Sequence, residues 1–217
     1  FLYDGADFSV VKNAIDLGRF AYSPETRERM RKSLGLEGKF VLGHVGRLAP
    51  EKNPRFLLET FAEIKKLEPS SALVSVGDGP LRGEMEELAV RLGIAEDVIF
   101  AGQVSNPEDY LCAFDCFLPP SLYEGLGFVV IEAVCSGLRC FASDVLPREA
   151  HVGGMVELFA LDADRRGLAE RILESRQDPA SRSGQGALLA SAGYDAASLK
   201  RRMEAIYAGQ KPENQED

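Results

Sequence analysis

The segment FVLGHVGRLAPEKNPRFLLETFAEIKKLEPSSALVSVGDGP, residues 40–80, decides the fold. It opens on a short apolar run, Phe40–Val45, that ends at Gly46. A helix-period stretch follows, in which Leu57, Phe61, Ile64 and Leu67 share one stripe. A second apolar run, Ala72–Val76, closes the unit at Gly77. Outward from there the pattern repeats. Residues 80–93, PLRGEMEELAVRLG, form the next amphipathic helix, with Pro80 in the first turn and Gly93 at the exit. Leu81, Met85, Leu88 and Leu92 make its buried face. Further runs lie at Val98–Phe100, Cys116–Leu118, Cys140–Ala142 and Met155–Phe159. Alternating strands and helices from residue 40 to 175 predict an α/β fold: a doubly wound, Rossmann-like parallel sheet with helices on both faces.

The flanks stand outside this repeat. Residues 1–39 read as a crossover segment and leading helix, with FSVVKNAIDLGRF (8–20) extended and a charged helix from Pro24 to Leu34. Residues 40–195 form the main domain. Residues 196–217 give a C-terminal helix, with Leu199, Met203, Ile206 and Tyr207 on one side, and the polar tail KPENQED. Gln177–Gly186, rich in Ser and Gly, is expected to be a loop. A start at Phe1 with no charged-then-apolar leader suggests a piece of a longer protein.

At 217 residues, with 45% hydrophobic and 27% charged, the chain is globular rather than disordered. No apolar run approaches the ~18–20 residues that span a bilayer. A net charge of −9 argues against a nucleic-acid partner, yet a few local cations can still hold an anionic ligand. Cys112, Cys116, Cys135 and Cys140 have no C-x-x-C spacing, so buried thiols in a reducing cytoplasm are expected.

Ligands of open parallel sheets bind at the carboxyl ends of the strands. After the first run come Gly46, Arg47 and Lys52, a close backbone turn and two cations suited to phosphate. After the fourth run come Glu124, Gly125, Leu126, Gly127, Phe128 and Val129, a glycine turn that opens a helix carrying Glu132. A carboxylate in the apolar stretch FVVIEAVC needs strong donors, which ligand hydroxyls or protein N–H groups can supply. Two carboxylates around a glycine turn, opposite two cations, describe a nucleotide-sugar site.

GRLAPEKNP, VGDGP, VIFAGQV and EGLGFVVIEA, in this order, resemble the retaining glycosyltransferases of family GT4, of GT-B fold (group 1). The resemblance runs from VVKNAID to the Tyr207 helix, and its most specific element is Glu124-x7-Glu132. SDVLPREA (143–150) points to the exopolysaccharide and capsular-polysaccharide branch. The resemblance implies the C-terminal, donor-binding domain of a hexosyltransferase in polysaccharide biosynthesis, using a UDP-sugar. An N-terminal domain, absent here, would hold the saccharide or lipid-linked acceptor, so this chain alone should not transfer sugar. Arg47 and Lys52 would hold and stabilise the departing diphosphate. Gly46 and residues Gly125 to Val129 would line the donor, with the Gly127 and Phe128 amides cradling phosphate and sugar. Glu132 would take the ribose hydroxyls and Glu124 the transferred sugar. Val104 would meet the base, and Gly77 would line the nucleotide cleft. No metal and no cofactor beyond the donor are implied, and the location is cytoplasmic, peripheral at the inner membrane face. Arg139, where proline is common, and Ala14, where glycine is, depart from the pattern.

Three other features compete. Gly77-x-Gly79-x3-Gly83, with Asp97 downstream, lacks the spacing and the first-strand position of a dinucleotide fingerprint. Asp162-Ala163-Asp164 precedes a helix and reads as a cap rather than a metal pair. His44 lies within a strand, and His151, beside Gly153-Gly154, is placed to approach the sugar; neither is assigned catalysis. A non-hydrolysing UDP-sugar epimerase and a non-catalytic nucleotide-binding module remain as alternative functions.

Overall fold

Residues 11, 13–182 and 185–209 are described by the computed structural model. In chain order the elements are α1 (Pro24–Ser33), β1 (Phe40–Val45), α2 (Pro54–Leu67), β2 (Ser71–Val76), α3 (Arg82–Arg91), β3 (Val98–Gly102), α4 (Pro107–Ala113), β4 (Cys116–Phe117), α5 (Phe128–Cys135), β5 (Arg139–Ser143), β6 (Val156–Phe159), α6 (Arg165–Glu174), α7 (Gln185–Ser191) and α8 (Ala196–Tyr207). Each of the six apolar runs is a strand. All pair in parallel, in the order β3-β2-β1-β4-β5-β6. The doubly wound sheet expected from the repeat is the one observed.

Alternation along the strands divides the apolar side chains between two cores. Val41, Val74, Phe117 and Ala142 pack with Leu111 of α4 and Val130, Ile131 and Val134 of α5. Leu42, Leu73, Cys116 and Phe141 pack with Leu57, Phe61 and Ile64 of α2, Met85 of α3 and Ile172 of α6. The chain winds outward from β1 to β3, then returns to lay β4 against β1. The loops leaving β1 and β4 therefore diverge, and a crevice opens between them.

Polar side chains finish the elements. Asp164 caps α6 by accepting from the Gly167 amide at 2.8 Å, as expected of a cap. The buried carbonyls at the end of α4, left without partners in the helix, face three arginines. Arg27 donates to the carbonyls of Cys112, Ala113 and Phe114 and pairs with Asp115. Arg31 reaches Ala113 O at 3.0 Å and Asp115 Oδ2 at 3.1 Å. Arg182, only 4% exposed, donates to Leu111 O (3.0 Å), Phe114 O (2.7 Å) and Ser136 O (2.8 Å). Positive charge also suits the negative end of a helix.

The Gln177–Gly186 loop is thereby corrected. A helical turn at Pro179–Arg182 seats Arg182 against Tyr22, and α7 starts at Gln185; residues 183 and 184 lie outside the described set. Composition reads as a loop because the buried member is a charged residue. α8 has the expected bounds, with Leu199, Met203 and Ile206 partly covered, but Tyr207 is 83% exposed. It ends the helix, past the surface on which the others rest. The leading segment is described only in part: Ile15 bridges in parallel to Asp195, but residues 17–20 form a turn rather than the expected extended chain, with the Phe20 amide on Asp16 O at 3.1 Å, while residues 1–10 and the tail KPENQED fall outside the described residues. All four cysteines are free and buried.

Candidate functional site

At the carboxyl end of β1, the chain turns through Gly46 to Ala49, makes one helical turn at Pro50–Lys52, and enters α2 from Asn53 in the left-handed conformation. At the carboxyl end of β4, residues 118–127 run out and back to α5. Two ties hold these loops together. The Leu122 amide donates to Glu51 O at 2.8 Å, and Lys52 Nζ donates to Glu124 Oε1 at 2.6 Å. Ser121 Oγ donates to the same Glu124 oxygen at 2.7 Å.

Between the loops lies a cleft of about 520 Å³, lined by Val45, Gly46, Lys52, Glu124, Gly125, Leu126, Gly127, Phe128, Val129 and Glu132. Nine of the twelve residues singled out in the sequence thus share one cavity. Arg47, Gly77 and Val104 are not in its lining. Arg47 is exposed on the β1 loop and makes no hydrogen bond or ion pair through its side chain with the described residues. Val104 is half-buried in the loop after β3. Gly77 acts one layer back. Its φ is 121°, and a Cβ there would sit 2.1 Å from Gly46 O, so only glycine lets the β2 turn support the β1 turn.

Gly127 is the N-cap of α5, at φ 77° and ψ 44°. The left-handed backbone favours glycine here, and a Cβ on it would also crowd the tip of Leu146, 2.4 Å from Cδ1. The amides of Gly127, Phe128 and Val129 donate to no group among the described residues. First-turn N–H groups have no partner within their own helix, and here they face the cleft as anion donors.

Glu132 lies one turn into α5 on the cleft side and is half-buried. Its carboxylate receives no hydrogen bond among the described residues. Burial pushes its pKa up to about 7, opposed by the charge of Arg19 and reinforced by that of Glu108. Arg19 itself donates to Glu108 Oε2 at 2.9 Å and to Ser105 O at 3.3 Å, tying the leading segment to the loop after β3. Sequence reasoning missed Arg19, Ser121 and Ser143. Only Ser121 had a local signal, its place three residues before Glu124.

Of the competing features, His44 is buried, 3.2 Å from Ser75 Oγ, and burial followed by the charge of Lys52 lowers its pKa to about 4. It is a packed, neutral side chain. His151 lines a second cavity with Arg148, Leu188 and Tyr194, and its Nε2 lies 3.2 Å from Leu146 O. It is not in the lining of the cleft described above.

The cleft brings a lysine, two carboxylates and the free first-turn amides of α5 together, a set suited to phosphate and hydroxyl groups. Residues 39–178 match the family described as "Glycosyl transferases group 1". The putative glycosyltransferase EpsF of Bacillus subtilis is 36% identical over 192 residues, covering 86% of this chain and 50% of that protein. An Escherichia coli UDP-Gal:alpha-D-GlcNAc-diphosphoundecaprenol alpha-1,3-galactosyltransferase is 32% identical, over 74% of this chain and 44% of its own length. The chain thus spans about half the length of the curated relatives it matches. Among solved structures, HepE from Anabaena in complex with UDP superposes with a TM-score of 0.80 at 24% identity, covering 93% of this chain and 57% of that one, and so shares the fold. With nearly two thirds of its length matched by the family and its strand order and cleft accounted for, the chain belongs to the group 1 glycosyl transferases.

Proposed function

We propose that this chain is the nucleotide-sugar-binding half of a retaining glycosyltransferase of the GT4 type, and that its donor is a UDP-sugar. The observation that carries the reading is the single cleft in which Lys52, Glu124, the free amides of Gly127 and Phe128, and the donor-starved Glu132 converge. Each group matches one part of such a donor. The amides and Lys52 meet the diphosphate, with Arg47 swinging in from the exposed β1 loop. Glu132, which has no donor among the described residues, accepts hydrogen bonds from the ribose hydroxyls. Glu124 accepts from the sugar, and Val104 contacts the base. As the diphosphate leaves it gains charge, and preorganised cations and amides stabilise that charge without a metal.

The names of the relatives support a sugar acceptor of polysaccharide or lipid-linked type, since one transfers to a diphosphoundecaprenol-linked sugar and another is named for teichuronic acid biosynthesis. We place the whole enzyme in the cytoplasm, peripheral at the inner membrane face, with capsule or exopolysaccharide as the product class. Titration calorimetry of this chain with UDP tests the core of the reading. Saturable binding that weakens when Gly127 is replaced by a bulkier residue is expected. No heat at millimolar UDP would refute the donor site.

A further inference from the structure

Two donors converge on a single oxygen of Glu124. Lys52 Nζ and Ser121 Oγ lie 2.6 and 2.7 Å from Oε1, while Oε2 has no partner among the described residues. The two donors differ in freedom. Lys52 ends a flexible stem and carries three protons. Ser121 is 1% exposed, and its backbone is fixed by the Ser143 hydroxyl, which donates to Ser121 O at 2.5 Å, and by the neighbouring Leu122–Glu51 tie at 2.8 Å. Ser143 is itself buried at the end of β5, so that strand, the serine pair and the carboxylate form one hydrogen-bonded chain.

We propose that Ser121 is the positioning residue for Glu124, and that it keeps the Oε2 edge toward the sugar while the diphosphate draws Lys52 away. The proposal rests on the donor-site reading above. A diphosphate carries more charge than one carboxylate, so Lys52 turns toward it when donor binds. A carboxylate held by Lys52 alone would then lose its orientation. The Ser121 hydroxyl cannot follow the ligand, because it is buried on an anchored loop.

The test is calorimetry of this chain with UDP and with whichever of UDP-glucose, UDP-galactose or UDP-N-acetylglucosamine binds tightest. Ser121→Ala should leave UDP affinity within about twofold and weaken the sugar nucleotide roughly 3–10-fold, the worth of one hydrogen bond. Ser121→Thr should restore it, and Ser143→Ala should act in the same direction with a smaller effect. In a Glu124→Ala background, Ser121→Ala should add nothing. Equal weakening of UDP and sugar nucleotide, persistence of the effect without Glu124, or failure of threonine to restore it would each overturn the proposal. So would a wild-type chain that binds every sugar nucleotide no tighter than UDP. Failure of the wild type to bind UDP at all is a separate result: it overturns the donor-site reading and this inference with it.

Discussion

Burial pushes the Glu132 carboxyl up to about 7, against an ordinary value near 4.5. Since its folded pKa lies above the unfolded one, its contribution to stability is present below pH ~4.5 and is lost as pH rises through 7. Glu132→Gln should therefore stabilise the ligand-free chain at pH 8 by about 1–2 kcal/mol, allowing for solvent screening of a half-buried group, and by almost nothing at pH 4. Thermal melts at the two pH values check this. Ribose hydroxyls favour the ionised form, so binding should expel about half a proton at pH 7. UDP-glucose calorimetry in buffers of different ionisation enthalpy reads that release, which should vanish in Glu132→Gln. The cations differ in context. Arg47→Ala removes an exposed side chain with no hydrogen bond or ion pair among the described residues, so stability should hold within about 0.5 kcal/mol. In the full-length enzyme its kcat, like that of Lys52→Ala, should fall by ~10²–10³, measured at saturating donor. A change confined to KM would count against a transition-state role. That Lys52 and Glu124 belong to one site was legible in the sequence. Their direct pairing was not, because the two lie 72 residues apart and only the β1–β4 junction brings them together.

Elements whose signal is local were legible. The six strands follow from apolar runs closed by turns, and α2 and α3 follow from stripes that the sheet does bury. Asp164 was recognisable as a cap, and Asp164→Ala should cost about 1 kcal/mol in denaturant melts. The end of α4 was not legible, since its caps come from α1 and from the turn at Pro179–Arg182. Burial lowers the Arg182 pKa only to about 10, so it stays charged at neutral pH. Arg182→Met keeps much of the volume but strands the carbonyls of Leu111 and Ser136. A loss of roughly 3 kcal/mol is expected, a fall of about 6–12 °C in Tm for a chain of this size. An unchanged Tm would mean that water replaces the guanidinium without cost.

At the scale of the whole molecule, two cores close on the sheet within this chain, so it should fold cooperatively by itself and bind UDP without transferring sugar. Transfer at the rate of the full-length enzyme would contradict that. On the function proposed above, Lys52, Arg47 and the α5 amides would meet the leaving charge, so EDTA should leave the rate of the full-length enzyme nearly unchanged. Complete loss restored by Mg²⁺ or Mn²⁺ would reverse the assignment. The α4 clamp also bears on how the chain is made. Leu111 O waits for a guanidinium 71 residues downstream, and residues 39–178, the span shared with the family, stop short of it. At ~5–20 residues per second, the ribosome takes roughly 4–14 s to deliver Arg182. During that interval Arg27 and Arg31 already hold the Cys112, Ala113 and Phe114 carbonyls while those of Leu111 and Ser136 wait, so this one step of assembly is timed by translation rather than by the speed of the chain's own folding.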